Sequence, residues 1–278
     1  LHDATRAYPV MIDPSVTHNA DSDFTGQFNR VVDADATSST QLEIGYQEHG
    51  LDPYTVLLIH GNEATGSTVI TDTASSTRVI TANGHASTTS ATTQLGLNNS
   101  LAFDGTGDYL SVPDSDDWNF GSGDFTIDMW IYATSFVDYE SIFGQALSDG
   151  ITPILAQVWA DGHLHIYAST DGSSWDSISN ADAGALTLNS WNHIAIVRDG
   201  NSIYGFIDGV KGSTSDVTGD TLYNSTNAFH IGDKGPSSAQ DYYGYIDEIR
   251  ITKGRALTTE EIKAAASRRP YAVYTSQV

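Results

Sequence analysis

Five aromatic residues in or beside expected loops are the first groups here whose chemistry suggests binding: Tyr139, Trp159, Trp175, Tyr242 and Tyr243. An aromatic ring stacks on the C–H face of a sugar while nearby Asp, Asn or His groups bond its hydroxyls. Each ring alone reads better as packing, and only a rim that gathered several of them would point to a glycan. Trp130 and Trp191 lie inside strands and read as core. His163 and His165 stand two apart on one strand face, a spacing that could hold a transition metal. No third ligand accompanies them, and a hydrogen-bonded pair accounts for them more simply. Asp104-Gly-Thr-Gly-Asp108 resembles a metal loop on paper but reads better as a hairpin turn between strands at Phe103 and Tyr109. Its carboxylates would then bond backbone amides. Asp247 shares strand parity with Ile249, which aims its carboxylate at an apolar face. A charge there needs a cation or several N–H donors. Catalysis finds less support. Asp128 is alone on its strand, Asp247 and Glu248 point to opposite faces, and no Gly-x-Ser-x-Gly occurs.

The composition narrows the classes further. The chain has 278 residues, 39% hydrophobic and 10% aromatic, enough for a substantial core. Its net charge of −23 leaves no basic footprint for nucleic acid, and suits solubility outside cells and divalent cations. There is no Cys, so disulfides, thiolate metal sites and a Cys nucleophile are excluded. No apolar run approaches the roughly 20 residues of a membrane span, so no membrane insertion is expected. Leu1 to Arg6 is not a signal peptide, and both ends read as those of a piece of something longer.

Short strands and Gly-rich turns must position the candidate residues. The clearest stretch runs from Trp191 to Gly209, two strands joined at Asp199-Gly200. Ile194 and Ile196 alternate there with Ala195 and Val197, the pattern of a strand buried on both faces. Asp124 to Tyr132 alternates as cleanly, with Phe125, Ile127, Met129 and Ile131 on one side. Further strands are expected at 55–60, 101–103, 109–112, 141–144, 154–159, 163–167, 228–231 and 244–251, with a weak one at 78–81 in a loop region from 61 to 99. One helix is credible: Thr258-Thr-Glu-Glu261 is a capping box leading into Ile262 to Ala266, and Pro270 stops it. Residues 1–50 read as an extended arm or the end of a preceding domain, residues 51–266 as the main domain, and residues 267–278 as an extended tail. An arm with unpaired strand edges could lie along the surface as a linker or add to a neighbouring copy.

Four segments in order carry a resemblance: Ser100 to Pro113, Gly123 to Ile131, the Trp191 hairpin, and Gly244 to Ile251 with Arg255 to Ile262. Together they resemble the laminin-G-like, concanavalin A-like jelly-roll domains of bacterial and phage multi-domain surface proteins. The resemblance implies an all-β, two-sheet antiparallel jelly-roll sandwich with one short C-terminal helix, preceded here by the extended arm. It also implies a calcium ion where the loop after the first strand meets the strand carrying Ile-Asp-Glu. The matching positions are Asn62, Glu63, Asp72 and Asp247. Retaining glucanases of this fold carry Glu-x-Asp-x-(x)-Glu along one strand, and no strand here has it.

The expected function is a non-catalytic extracellular module for adhesion or carbohydrate binding, steadied by calcium. Its partner would be a glycan or cell-surface ligand, at a cell or virion surface. The alternative is a structural subunit of a filament, surface layer or phage appendage that assembles with copies of itself through the arm or the tail.

Overall fold

The computed structural model describes residues 52–267 except 75–76, 94–98, 138, 147–149 and 236–239, and the backbone of two short strands at 31–32 and 43–44. The chain divides into two units. In the first, β1 (Val31–Val32) and β2 (Glu43–Ile44) pair antiparallel, Val31 opposite Ile44. Assembly through residues 1–50 or the tail from 268 onward lies otherwise outside the described residues.

The second unit, Leu51–Pro270, is a two-sheet sandwich. Its first strands are β3 (Thr55–Ile59), β4 (Thr81–Asn83), β5 (Ser87–Thr89), β6 (Ser100–Asp104), β7 (Tyr109–Val112), β8 (Phe125–Ala133) and β9 (Glu140–Gly144). There follow β10 (Ile154–Val158), β11 (His163–Ala168), β12 (Ile178–Ala185), β13 (Trp191–Asp199), β14 (Ser202–Ile207), β15 (Val210–Asp216), β16 (Phe229–Ile231) and β17 (Tyr243–Lys253). Helix α1 (Thr259–Ala266) closes the unit. One sheet runs β12-β11-β10-β9-β16-β7-β4 and the other β15-β14-β13-β8-β17-β6-β5, with β3 on the far half of β17. Among the described residues all the pairings are antiparallel.

Alternation sets what each sheet buries. Phe125, Ile127, Met129 and Ile131 of β8 meet Ile194 and Ile196 of β13 in the layer between the sheets. The other face of β13 is buried too, because α1 lies over it: Leu257 and Ile262 cover Ala195, Val197, Tyr204 and Phe206. Full burial of side chains of this size contributes roughly 1.5–3 kcal/mol each, which is why so short a helix holds its place. Its start is local chemistry. Thr258 accepts from the Glu261 amide and the Glu261 carboxylate accepts from the Thr258 amide.

β17 departs from regular pairing. Its first half pairs with β6 and its second with β3, and its register against β8 shifts between Asp247 and Arg250. Glu248, at φ 50°, is the extra residue of this bulge. Ile246 and Ile249 consequently both face the core. Asp247 lies opposite Trp130, on the outer side. The parity linking Asp247 to the apolar face is thus undone by the bulge.

Candidate functional site

The outer face of the seven-stranded sheet gathers three of the five loop aromatics. Leu164, Ile166 and Ala168 of β11 enter the core, so His163, His165 and Tyr167 point away from it. Trp159, just past β10, lies over His165 with ring centroids 4.4 Å apart, and Tyr139 meets Trp159 edge-on at 5.1 Å. His163 continues the run, 6.3 Å from His165. Trp175 packs on Tyr167 at 5.2 Å. Tyr139 is 42% exposed and sits at φ 69°, a conformation costly for a bulky side chain and therefore held by its surroundings.

Polar groups flank these rings. His163 Nδ1 lies 3.0 Å from Asp182 Oδ1, and that hydrogen bond raises the His163 pKa. Asp161 accepts from the His163 amide at 2.9 Å, which holds its carboxyl below the usual range. Gln157, opposite His165 in register, donates to Ser141 Oγ at 3.1 Å and Gln240 Oε1 at 3.0 Å. Trp159 Nε1 and both ring nitrogens of His165 are buried without a hydrogen-bond partner. His165 Nε2 stands 3.7 Å from Asp161 Oδ1, so the Asp161 carboxylate is the charge nearest this ring. The loop that carries Trp175 is stiffened by Asp171, which accepts from the Ser173 and Ser174 amides and is held well below the ordinary carboxylate range by them.

The remaining two aromatics part company. Tyr242 is fully buried in the core against Phe103, so the expectation that it binds ligand is corrected: it precedes β17 but its ring turns inward. Tyr243, the next residue, is 46% exposed and lines a cavity of about 210 Å³ with His85, Asp104, Thr134 and Tyr245. Among the described residues, His85, Asp104 and Asp108 are the one trio of His, Asp or Glu whose ligand atoms lie within 4.8 Å of one another. The turn at Asp104–Asp108 is bonded to amides as expected, Asp108 accepting from His85 and Asp104. It is not a hairpin, however: β6 and β7 belong to different sheets, and the turn is a corner between them.

The four positions matched to calcium are dispersed in role. Asp72 is buried and its carboxylate accepts from the amides of Leu58, Ala74 and Arg78, which leaves it a poor ligand. Glu63 fits better, since Oε1 accepts from the Thr71 amide at 2.7 Å while Oε2 is buried without a partner. Asn62 is exposed, and Asp247 Oδ1 accepts from the Glu248 amide at 2.9 Å. Asp128, alone in the sequence, is ion-paired with Arg250. Sequence reasoning missed Asp182, His85, and the outward row of Tyr132, Tyr245 and Trp191. Cross-strand register, which brings these together, leaves no local signal.

A sequence model of the family described as the concanavalin A-like lectin/glucanases superfamily matches residues 104–263, more than half of the chain. No functionally curated protein matches. Among solved structures, the binding domain of Paraclostridial Mosquitocidal Protein 1 is similar, with 15% identity and a TM-score of 0.59 over 77% of this chain and 52% of that one. The botulinum neurotoxin serotype G binding domain gives 13% identity and a TM-score of 0.57 over 76% of this chain and 50% of its own. Domain 4 of AbnA, a GH43 extracellular arabinanase from Geobacillus stearothermophilus solved with arabinotriose, gives 16% identity and a TM-score of 0.54, with 77% of this chain and all of that one covered. The chain thus spans about half the length of the toxin binding domains. At such identities the likeness is one of fold.

Proposed function

Because the chain belongs to the laminin-G-like family of the concanavalin A-like lectin/glucanase superfamily, we propose that it is a non-catalytic, extracellular module that binds a glycan on a cell surface or polymer. The observation that carries this reading is the run Tyr139–Trp159–His165–His163 on one sheet face, ended by Asp182. Its rings offer stacking surfaces, and the partly exposed His163–Asp182 pair and Asp161 offer hydrogen bonds to hydroxyls. The arabinanase domain that was solved with a trisaccharide shares the fold and lends the reading support.

Trp159→Ala removes the central ring. On a glycan array the parent chain is expected to bind, and the variant to bind at least about tenfold more weakly with an unchanged circular dichroism spectrum. Equal binding by the two proteins would sink this site.

A stabilising calcium ion is the second part of the proposal. Glu63 Oε2 supports it, as a buried carboxylate oxygen without a partner, and so does the net charge of −23. The ion would supply positive charge to oxygens that otherwise lie desolvated. EDTA is expected to lower the melting temperature and added Ca²⁺ to restore it. Superimposable melts with and without chelator would rule the ion out.

A further inference from the structure

We propose that the outer face of the eight-stranded sheet holds a second saccharide subsite, centred on Tyr243 and the His85–Asp104 pair, that accepts an uncharged sugar and rejects acidic ones. It lies on the other sheet from the Trp159 run and does not depend on it.

Register puts the parts on one face. Ala102 of β6 lies opposite Tyr245 of β17, Tyr245 opposite Tyr132 of β8, and Tyr132 opposite Trp191 of β13. The three rings form a row, each neighbouring pair edge-on with centroids 5.7 Å apart. Trp191 Nε1 at its end is buried without a hydrogen-bond partner. One pleat along, Tyr243 lies opposite Asp104, and these two open into the cavity of about 210 Å³. That volume is below the roughly 300–1,000 Å³ typical of drug-sized sites, so it suits one sugar ring rather than a longer segment. The aromatic row then extends from it as a track for the next units.

The lining decides the sign of the ligand. His85 Nδ1 lies 3.1 Å from Asp104 Oδ2, with 84% of the His85 side chain and 48% of the Asp104 side chain exposed. Both are open to solvent at the rim and can meet hydroxyls, while Tyr243 offers its ring. His85 is the single basic group among the lining residues, against Asp104 and Asp108. Asp241 adds a third carboxylate next to the corner, accepting from the Gly107 amide at 2.8 Å. Burial first, and then the charges of Asp233, Asp108 and Asp104, push the Asp241 carboxyl upward, which reports a negative field at this corner. A sialic or uronic acid would add a further negative charge to that field. A neutral sugar would not.

The test uses the full chain on an array carrying neutral, sialylated and uronic-acid glycans, with Trp159→Ala and Tyr243→Ala compared side by side. The expected result is a set of neutral glycans retained by Trp159→Ala and weakened about tenfold or more by Tyr243→Ala. Asp104→Asn is expected to admit some acidic glycans that the parent excludes, and serves as the second variant should Tyr243→Ala prove unstable in a thermal melt. Neutral binding that depends on Trp159 alone overturns the second subsite and leaves the first standing. The reverse pattern removes the first and keeps the second. Binding of acidic glycans lost with Tyr243→Ala, or no neutral glycan bound by any protein tested, overturns the inference.

Discussion

Arg250→Met is expected to destabilise the sandwich by about 3–5 kcal/mol, the cost of breaking a buried ion pair by removing one partner. Asp128 and Arg250 are 1% and 5% exposed and face each other across β8 and β17. Arg250 donates from Nε to Asp128 Oδ1 at 2.8 Å and from a terminal nitrogen to Oδ2 at 2.9 Å, a two-pronged arrangement that Lys could not reproduce. His193 Nε2 stands 3.3 Å from Oδ2, and His193 is also buried. With the guanidinium gone, a desolvated carboxylate loses its principal cation. For a body of this size the change corresponds to a fall in melting temperature on the order of 10 °C. The double replacement Asp128→Leu with Arg250→Met is expected to recover much of the loss, because the two charges of the pair are removed together. Calorimetric melts of the three proteins check this. A single variant melting within about 2 °C of the parent would show that the pair contributes little.

Glu140→Gln carries the second large effect, and its size depends on pH. Glu140 is 1% exposed and burial pushes its carboxyl from 4.5 up to about 7, with the opposing hydrogen bonds from Ser135 and the Tyr243 backbone too weak to restore it. Its Oε2 has no hydrogen-bond partner, and its charge adds to burial in raising the pKa of the nearby Tyr242 hydroxyl. A folded-state pKa above the unfolded value means that the native chain binds this proton more tightly. The resulting stability is fully present below about pH 4.5 and is lost as pH rises through about 7. The loss is on the order of 3 kcal/mol. Gln cannot ionise. The variant is therefore expected to melt several degrees above the parent at pH 8 and alongside it at pH 4.5. Parallel melting curves across that range would refute the assignment.

Several features of this chain could be read from local pattern alone. Ile194 and Ile196 against Ala195 and Val197 announced a strand covered on both sides, and it is: one side meets the other sheet and the other meets α1. The capping box at Thr258 and Glu261 announced the helix start, since both of its bonds close within three residues. Other strands left little trace. β5, β12 and β15 each stand at a sheet edge, and their Ser, Thr, Asp and Gly residues lack the alternation that a half-buried strand displays. The bulge at Glu248 was equally silent, because no glycine marks its positive φ.

The sites divide along the same line. The types of Tyr139, Trp159 and Trp175 marked them as candidates for stacking before any coordinates, although a single loop aromatic serves packing as readily. Which of them meet was decided by β10 and β11 pairing and by the turn that carries Tyr139 back over Trp159. Tyr242 and Tyr243 are neighbours with the same side-chain chemistry, yet one is core and the other lines a cavity. The period of two dictates that they diverge, but only the packed sheets say which faces inward. Asp104 and Asp108 show the same limit: a Gly-Thr-Gly turn bonds its own amides alike whether the next strand pairs beside the last or crosses to the other sheet. The sequence by itself determined the alternating strands, the helix start and the kinds of residue available, because periodicity and capping act over a few residues, and the order of four segments carried the resemblance to a jelly roll. The tertiary structure decided the partners of Asp128, the proton on Glu140, and the gathering of rings into two separate faces, because each depends on burial and contacts between residues far apart in the chain.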